Sequence, residues 1–253
     1  MSLDRWKLKP PIVSALQLSF IIFTFVAPAM VWLYARKEPD GRLARRLERC
    51  LAGALLAFYL GDLFMKGQDG TFTLEHALPM QLCDWALLAV SAALWFRWRT
   101  CFEVAYFWGL AGTFQALFTP AIPEDLHWFR KFGFFFIHAG IVVGILHLLA
   151  TPRWRPTPRA LLHVIAASEF YLSVTVLTNL LTGGNYGFLS HKPPTASMLD
   201  LFSDDPLLYV VQINLTAFVF FAALYLPWLI IDLLHARPNS ANQSPEAAST
   251  RQA

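Results

Sequence analysis

A chain of 253 residues that is 56% hydrophobic and only 15% charged, with a mean hydropathy of +0.46, lies outside the composition of water-soluble globules. Its formal net charge of +3 makes no case for a nucleic-acid partner, because the basic residues sit beside hydrophobic boundaries where anionic headgroups account for them. The three cysteines form no CxxC pair and the histidines no HExxH spacing, so neither a disulfide framework nor a zinc centre is indicated.

Apolar runs of membrane-spanning length recur along the chain. The first, 14–34, lacks a small-residue cleavage site before the basic segment and reads as a retained helix, not a signal peptide. The second, 50–65, is short and interrupted by Gly61 and Asp62. A third run, 79–96, opens at Pro79, a residue suited to a first helical position. Runs at 101–118, 131–149, 160–182 and 207–234 complete the series. The expected architecture is an all-α polytopic membrane bundle of seven transmembrane helices over 1–235, followed by a polar, disordered cytoplasmic tail, 236–253. Most of the 20 Lys and Arg residues fall on one side if the N-terminus is outside and the C-terminus cytoplasmic, chiefly through "RKEPDGRLARRLER", 36–49. Cys50 and Cys101 then lie near the cytoplasmic face and Cys83 near the outer one, which leaves Cys83 a free thiol.

Sorted by depth, the polar residues within the spans gather in the outer half. Cys83 follows Pro79 in "LPMQLCDWALL", with Gln81 and Asp84 beside it. His138 comes seven residues after Lys131, about 10 Å along its helix. Gln115, Thr119 and Asn179 lie near outer helix ends, and "TGGNYGFLSHKPP", 182–194, forms an outer loop. His147 and His163 map to the cytoplasmic half without companions and read as structural or interfacial; elsewhere the polar groups stop at mid-membrane. Taken singly, each has a plain reading: a small buried thiol, an interhelical hydrogen bond, an asparagine turn. Together they have the parts of an acyl-transfer site. A thiol at a helix N-terminus has its thiolate favoured by the helix dipole. A histidine at similar depth serves as base, and the first-turn N–H groups or the Gln81 and Asn185 amides serve a developing oxyanion.

Three stretches carry a resemblance. "LPMQLCDWALL", "FFFIHAGIVVGILHLL" and "GGNYGFLSHKPPTASMLDLF" occur in this order over roughly 75–210. They resemble the YwaF-like family of integral membrane proteins, related to the transmembrane protein 164 acyltransferases that remodel ether phospholipids. The resemblance implies Cys83 and His138 as the reactive pair and brings Tyr186 in with the Gly-Asn-Tyr loop. The sequence thus points to a membrane-embedded acyltransferase or acyl hydrolase, needing no cofactor and no metal. Cys83 and His138 act through a thioester, while Asn185, Gln81, Asp84, Gln115 and Tyr186 bind substrate or the oxyanion. Its partners are membrane lipids, and its location is the cell membrane, with a bacterial inner membrane suggested by the basic-loop pattern and compact chain. A small-solute or proton-coupled transporter using His138 and Asp84, or a receptor or scaffold without turnover, is the alternative.

Overall fold

The computed structural model describes residues 14–35, 41–120, 122–123, 126–150, 154–194 and 197–235; the expected tail, 236–253, lies outside them. Seven α-helices run α1 Ala15–Ala35, α2 Arg42–Gln68, α3 Leu82–Phe96, α4 Arg99–Ala111, α5 Trp128–Leu149, α6 Ala160–Thr182 and α7 Pro206–His235. No strand occurs among the described residues. Five of these helices, all but α3 and α4, are long and apolar enough to cross a membrane.

Three boundaries differ from the sequence expectation, each for a local reason. α2 reaches back to Arg42 through the basic segment and is 27 residues long. Asp62 does not interrupt it, because its carboxylate is held by Lys66 one turn on (2.9 Å) and by Arg130 of α5 (2.8 Å). α3 starts at Leu82, three residues after Pro79. Gln81 is extended there, and its backbone N–H donates to the Asp84 carboxylate at 3.0 Å, which fixes the helix start. The expected 101–118 helix ends at Ala111, and a 3₁₀ turn, Thr113–Leu117, follows Gly112. At Gly112 a Cβ would come within 2.7 Å of the Leu82 side chain, so the chain turns where α4 closes on the start of α3.

α4 is the axis of the bundle. It packs on α3, α5, α6 and α7, and its residues Phe102–Gly109 are all buried, apolar or aromatic apart from Glu103. Small residues bring its neighbours together: Gly140 of α5 lies under Leu55, and Gly144 lies against Val90 and Leu94 of α3. Outward-facing Leu177, Leu180, Val219 and Leu226 are exposed, the pattern of a surface that meets lipid chains.

Charged contacts mark one end of the bundle. Buried Glu48 receives two hydrogen bonds from Arg97 (2.7 and 2.8 Å) and meets His147 Nε2 at 3.2 Å. The Arg97 guanidinium lies 4.8 Å over the Trp154 ring. Buried Glu103 accepts from Thr157 and lies 2.7 Å from His163 Nδ1. His147 and His163 therefore do have companions, and polar groups do continue to this end. Carboxylates 99 and 60 residues away in sequence supply them, a pairing that helical spacing does not reveal.

Candidate functional site

The opposite end encloses a cavity of about 710 Å³. It exists because α3 and α4 are short, at 15 and 13 residues. At about 1.5 Å per residue they stop well below the ends of α2, α5 and α7. The segments 71–81, 183–194 and 197–202 fold over the recess.

Cys83 and His138 both line this cavity. Cys83 is the second residue of α3. It is half-buried and sits in the first turn of the helix, where the next N–H, that of Asp84, donates back to the Gln81 carbonyl at 3.0 Å. His138 is buried on α5, with the Phe134 ring 4.1 Å from its own. His138 Nδ1 is 2.7 Å from the Phe134 carbonyl oxygen. A carbonyl only accepts, so Nδ1 carries the proton and Nε2 the lone pair in the neutral ring.

The shared contact of Gly144 with Val90 and Leu94 sets the relative height of the pair. Cys83 lies seven residues before Val90 and His138 six before Gly144, on helices that run in the same direction. His138 is therefore about 9 Å above that contact and Cys83 about 10 Å when counted from Val90 or about 16 Å from Leu94, so both lie on its cavity side. The two side chains do not hydrogen-bond to each other in the described structure.

Other residues divide between the cavity and its frame. Gln81, Asp84 and Gln115 line the cavity. The Gln81 side-chain oxygen accepts from the Gly187 N–H at 3.0 Å, and Asp84 is tied to the Gln81 N–H. The Gln115 amide nitrogen donates back to the Ala111 carbonyl. Asn185 and Tyr186 lie outside the lining. The Asn185 amide closes its own loop, donating to His191 O (2.9 Å) and accepting from the Ser190 and His191 N–H groups. Buried Tyr186 donates its hydroxyl to Leu74 O at 2.8 Å and accepts from Leu78 N–H at 2.9 Å, pinning the segment that leads into α3.

Asn179 completes this frame. Its amide accepts from the Tyr186 N–H (2.8 Å) and donates to the Tyr186 carbonyl (3.0 Å), satisfying both backbone groups of a buried residue. Gly187 has a φ of +64°, and a Cβ there would meet the Tyr171 hydroxyl at 2.7 Å. The Tyr171 hydroxyl in turn donates to Met80 O at 3.0 Å. The Gly-Asn-Tyr-Gly loop is thus a clasp that holds the start of α3, and Cys83 with it.

Sequence reasoning missed Tyr171, the Asp62–Lys66–Arg130 cluster and Trp108, all of which line the cavity. Asp62 and Lys66 could have been found from their i,i+4 spacing at the end of α2. Arg130 and Tyr171 reach the cavity only through tertiary packing.

A family model described as the TMEM164 family matches residues 8–225, a stretch that contains all three motifs and every residue of the cavity. The match names the TMEM164 branch rather than the YwaF-like one. No curated protein and no solved structure matches the chain.

Proposed function

The chain belongs to the TMEM164 family of multi-pass membrane proteins, and from that footing we propose that it transfers or hydrolyses acyl groups of membrane lipids at the Cys83–His138 cavity. The observation that carries the reading is the placement of a thiol at a helix start and an imidazole whose Nε2 has no partner among the described residues in one largely apolar cavity.

In the proposed reaction Cys83 gives its proton to His138 Nε2 and its sulfur attacks the ester carbonyl. The N–H groups that open α3, those of Leu82 and Cys83, meet the negative charge that develops. The C–O bond breaks, the lysolipid leaves with the proton from Nε2, and the acyl group stays on sulfur as a thioester. An acceptor hydroxyl, from a lysolipid or from water, then gives its proton to Nε2 and attacks the thioester. The C–S bond breaks and the thiol regains its proton. Gln81, Asp84 and Gln115 orient the ester, whereas Asn185 and Tyr186 act through the clasp. No step requires a cofactor or metal.

The membrane placement belongs to the same proposal. All seven helices cross a cell membrane, that of a bacterial inner membrane, with the N-terminus out and the C-terminus in. The recessed α3 and α4 complete their crossings through the segments that cover the cavity. Supporting this orientation, Arg42, Arg45, Arg46, Arg49, Arg97 and Arg99 sit at the Glu48 end.

Lipid profiles of cells carrying the protein or its Cys83→Ala variant test the function. The proposal expects a change in phospholipid or lysolipid acyl composition that Cys83→Ala abolishes. An unaltered profile would transfer the cavity to transport or ligand sensing.

A further inference from the structure

Glu169 is an ionisable residue in an unusual place. It is the tenth residue of α6, about 14 Å from the nearer helix end, and Asn214 is about 12 Å into α7. Both helices are apolar and of spanning length, and Glu169 lies on the exposed side of its helix. A carboxyl group in such surroundings is costly and by default marks a path or site. Its partner is across the helix boundary: Asn214 Nδ2 donates to Glu169 Oε1 at 2.9 Å.

The cavity lies directly behind this bond. Asn214 lines it, as do Ser168 and Leu172 of α6 and Ile213, Thr216 and Ala217 of α7. α6 and α7 each pack more extensively on α4 than on each other. Ser168 is held inward by the Trp108 indole N–H at 2.8 Å. The two helices are thus anchored separately on α4 and bridged at mid-height by one polar contact, with small or half-buried side chains between them.

We infer that the α6–α7 seam is a lateral portal through which the acyl chain of a bilayer lipid enters the cavity, with the Glu169–Asn214 hydrogen bond as the bolt across it. The inference rests on the lipid reading of the cavity but not on any chemistry at Cys83. The occupant is a lipid chain because the seam opens at the depth of hydrocarbon, its walls are apolar or small, and a water-borne solute would not meet it there. An ordinary interhelical hydrogen bond would stabilise the pair without controlling access, and that difference is measurable.

The test uses the full chain in phospholipid vesicles, with Cys50, Cys83 and Cys101 all replaced by alanine and cysteines placed as Glu169→Cys and Asn214→Cys. The probe is a phosphatidylcholine carrying a photoactivatable diazirine in one acyl chain, and insertion is mapped by mass spectrometry. In the reduced protein the probe is expected to insert into the inner wall at Phe134–His138 as well as into outward-facing α1. After oxidation joins the two cysteines, inner-wall insertion should fall to the level of an unirradiated control while α1 insertion is unchanged. An Ala217→Trp variant, which fills the seam without a cross-link, should give the same loss. Inner-wall insertion that persists in both would overturn the portal, and so would its absence in the reduced, unplugged protein. Because Cys83 is absent throughout, a failure of the acyl-transfer proposal would leave this result standing, and the reverse also holds.

Discussion

Replacing Asn179 with leucine keeps the branching and heavy-atom count of the side chain and removes both of its hydrogen bonds to Tyr186. Tyr186 is 1% exposed, so its N–H cannot turn to water and is left unsatisfied, while its carbonyl keeps only the longer bond from the Leu189 N–H at 3.3 Å. Leaving one buried backbone group unpaired costs about 1–3 kcal/mol. At about 1.4 kcal/mol per factor of ten, the opening equilibrium of the 183–191 loop should rise on the order of 5- to 140-fold. Amide hydrogen exchange in detergent reads this directly, because local opening governs exchange in such a segment. Peptides covering Tyr186–His191 should lose protection by that factor, while α5 peptides around Gly144 keep theirs. Since Gly187 N–H holds Gln81, protection at the start of α3 should fall with it. Unchanged exchange in the loop would refute the clasp, and a uniform loss over the whole chain would show that Asn179 supports the bundle instead.

Other consequences are open to simpler checks. Gly187→Val should cost at least about 1–2 kcal/mol, since the new Cβ meets the Tyr171 hydroxyl in a left-handed conformation. It should lower thermal stability and displace Tyr171, visible as increased exchange near Met80. Arg97→Leu leaves Glu48 buried with its strongest partner gone, a loss of about 3–5 kcal/mol measurable as reduced folded yield and unfolding temperature. An added Glu48→Gln should recover part of that loss. Cysteines introduced at Ser197 and Gly41 should differ in intact cells, with an impermeant thiol reagent reaching Ser197→Cys and not Gly41→Cys. The opposite pattern would invert the proposed orientation.

The helical class and the places of the helices were legible because span-length apolar runs leave few alternatives. The start of α3 was not. Pro79 is a plausible first residue by local preference, but Tyr171 and Trp85 capture the carbonyls of Met80 and Pro79, and Gln81 becomes the cap. The Gly112 break was hidden for the same kind of reason, since it depends on Leu82 arriving from another helix. Cys83 and His138 could be brought to one cavity because each stands out within an apolar run. Asn185 and Tyr186 stood out equally, yet their side chains are engaged with backbone. Residue type indicates polarity at a position; only packing tells whether that polarity faces a cavity or holds a loop. Glu48 and Glu103 make the point from the other side. They look like ordinary charges near helix starts, and their roles emerge only with Arg97, His147, Thr157 and His163 around them.

In the proposed reaction Cys83 carries the acyl group, and covalent trapping would capture it there. Purified protein would be incubated with an acyl-phospholipid, quenched in acid and digested, and the Cys83 peptide examined for an added acyl mass that neutral hydroxylamine removes. The thioester is expected on Cys83 and not on Cys50 or Cys101, to be absent in Cys83→Ala, and to form more slowly in His138→Ala. Lipid turnover by the protein without any acyl mass on Cys83, or turnover retained by Cys83→Ala, would contradict it.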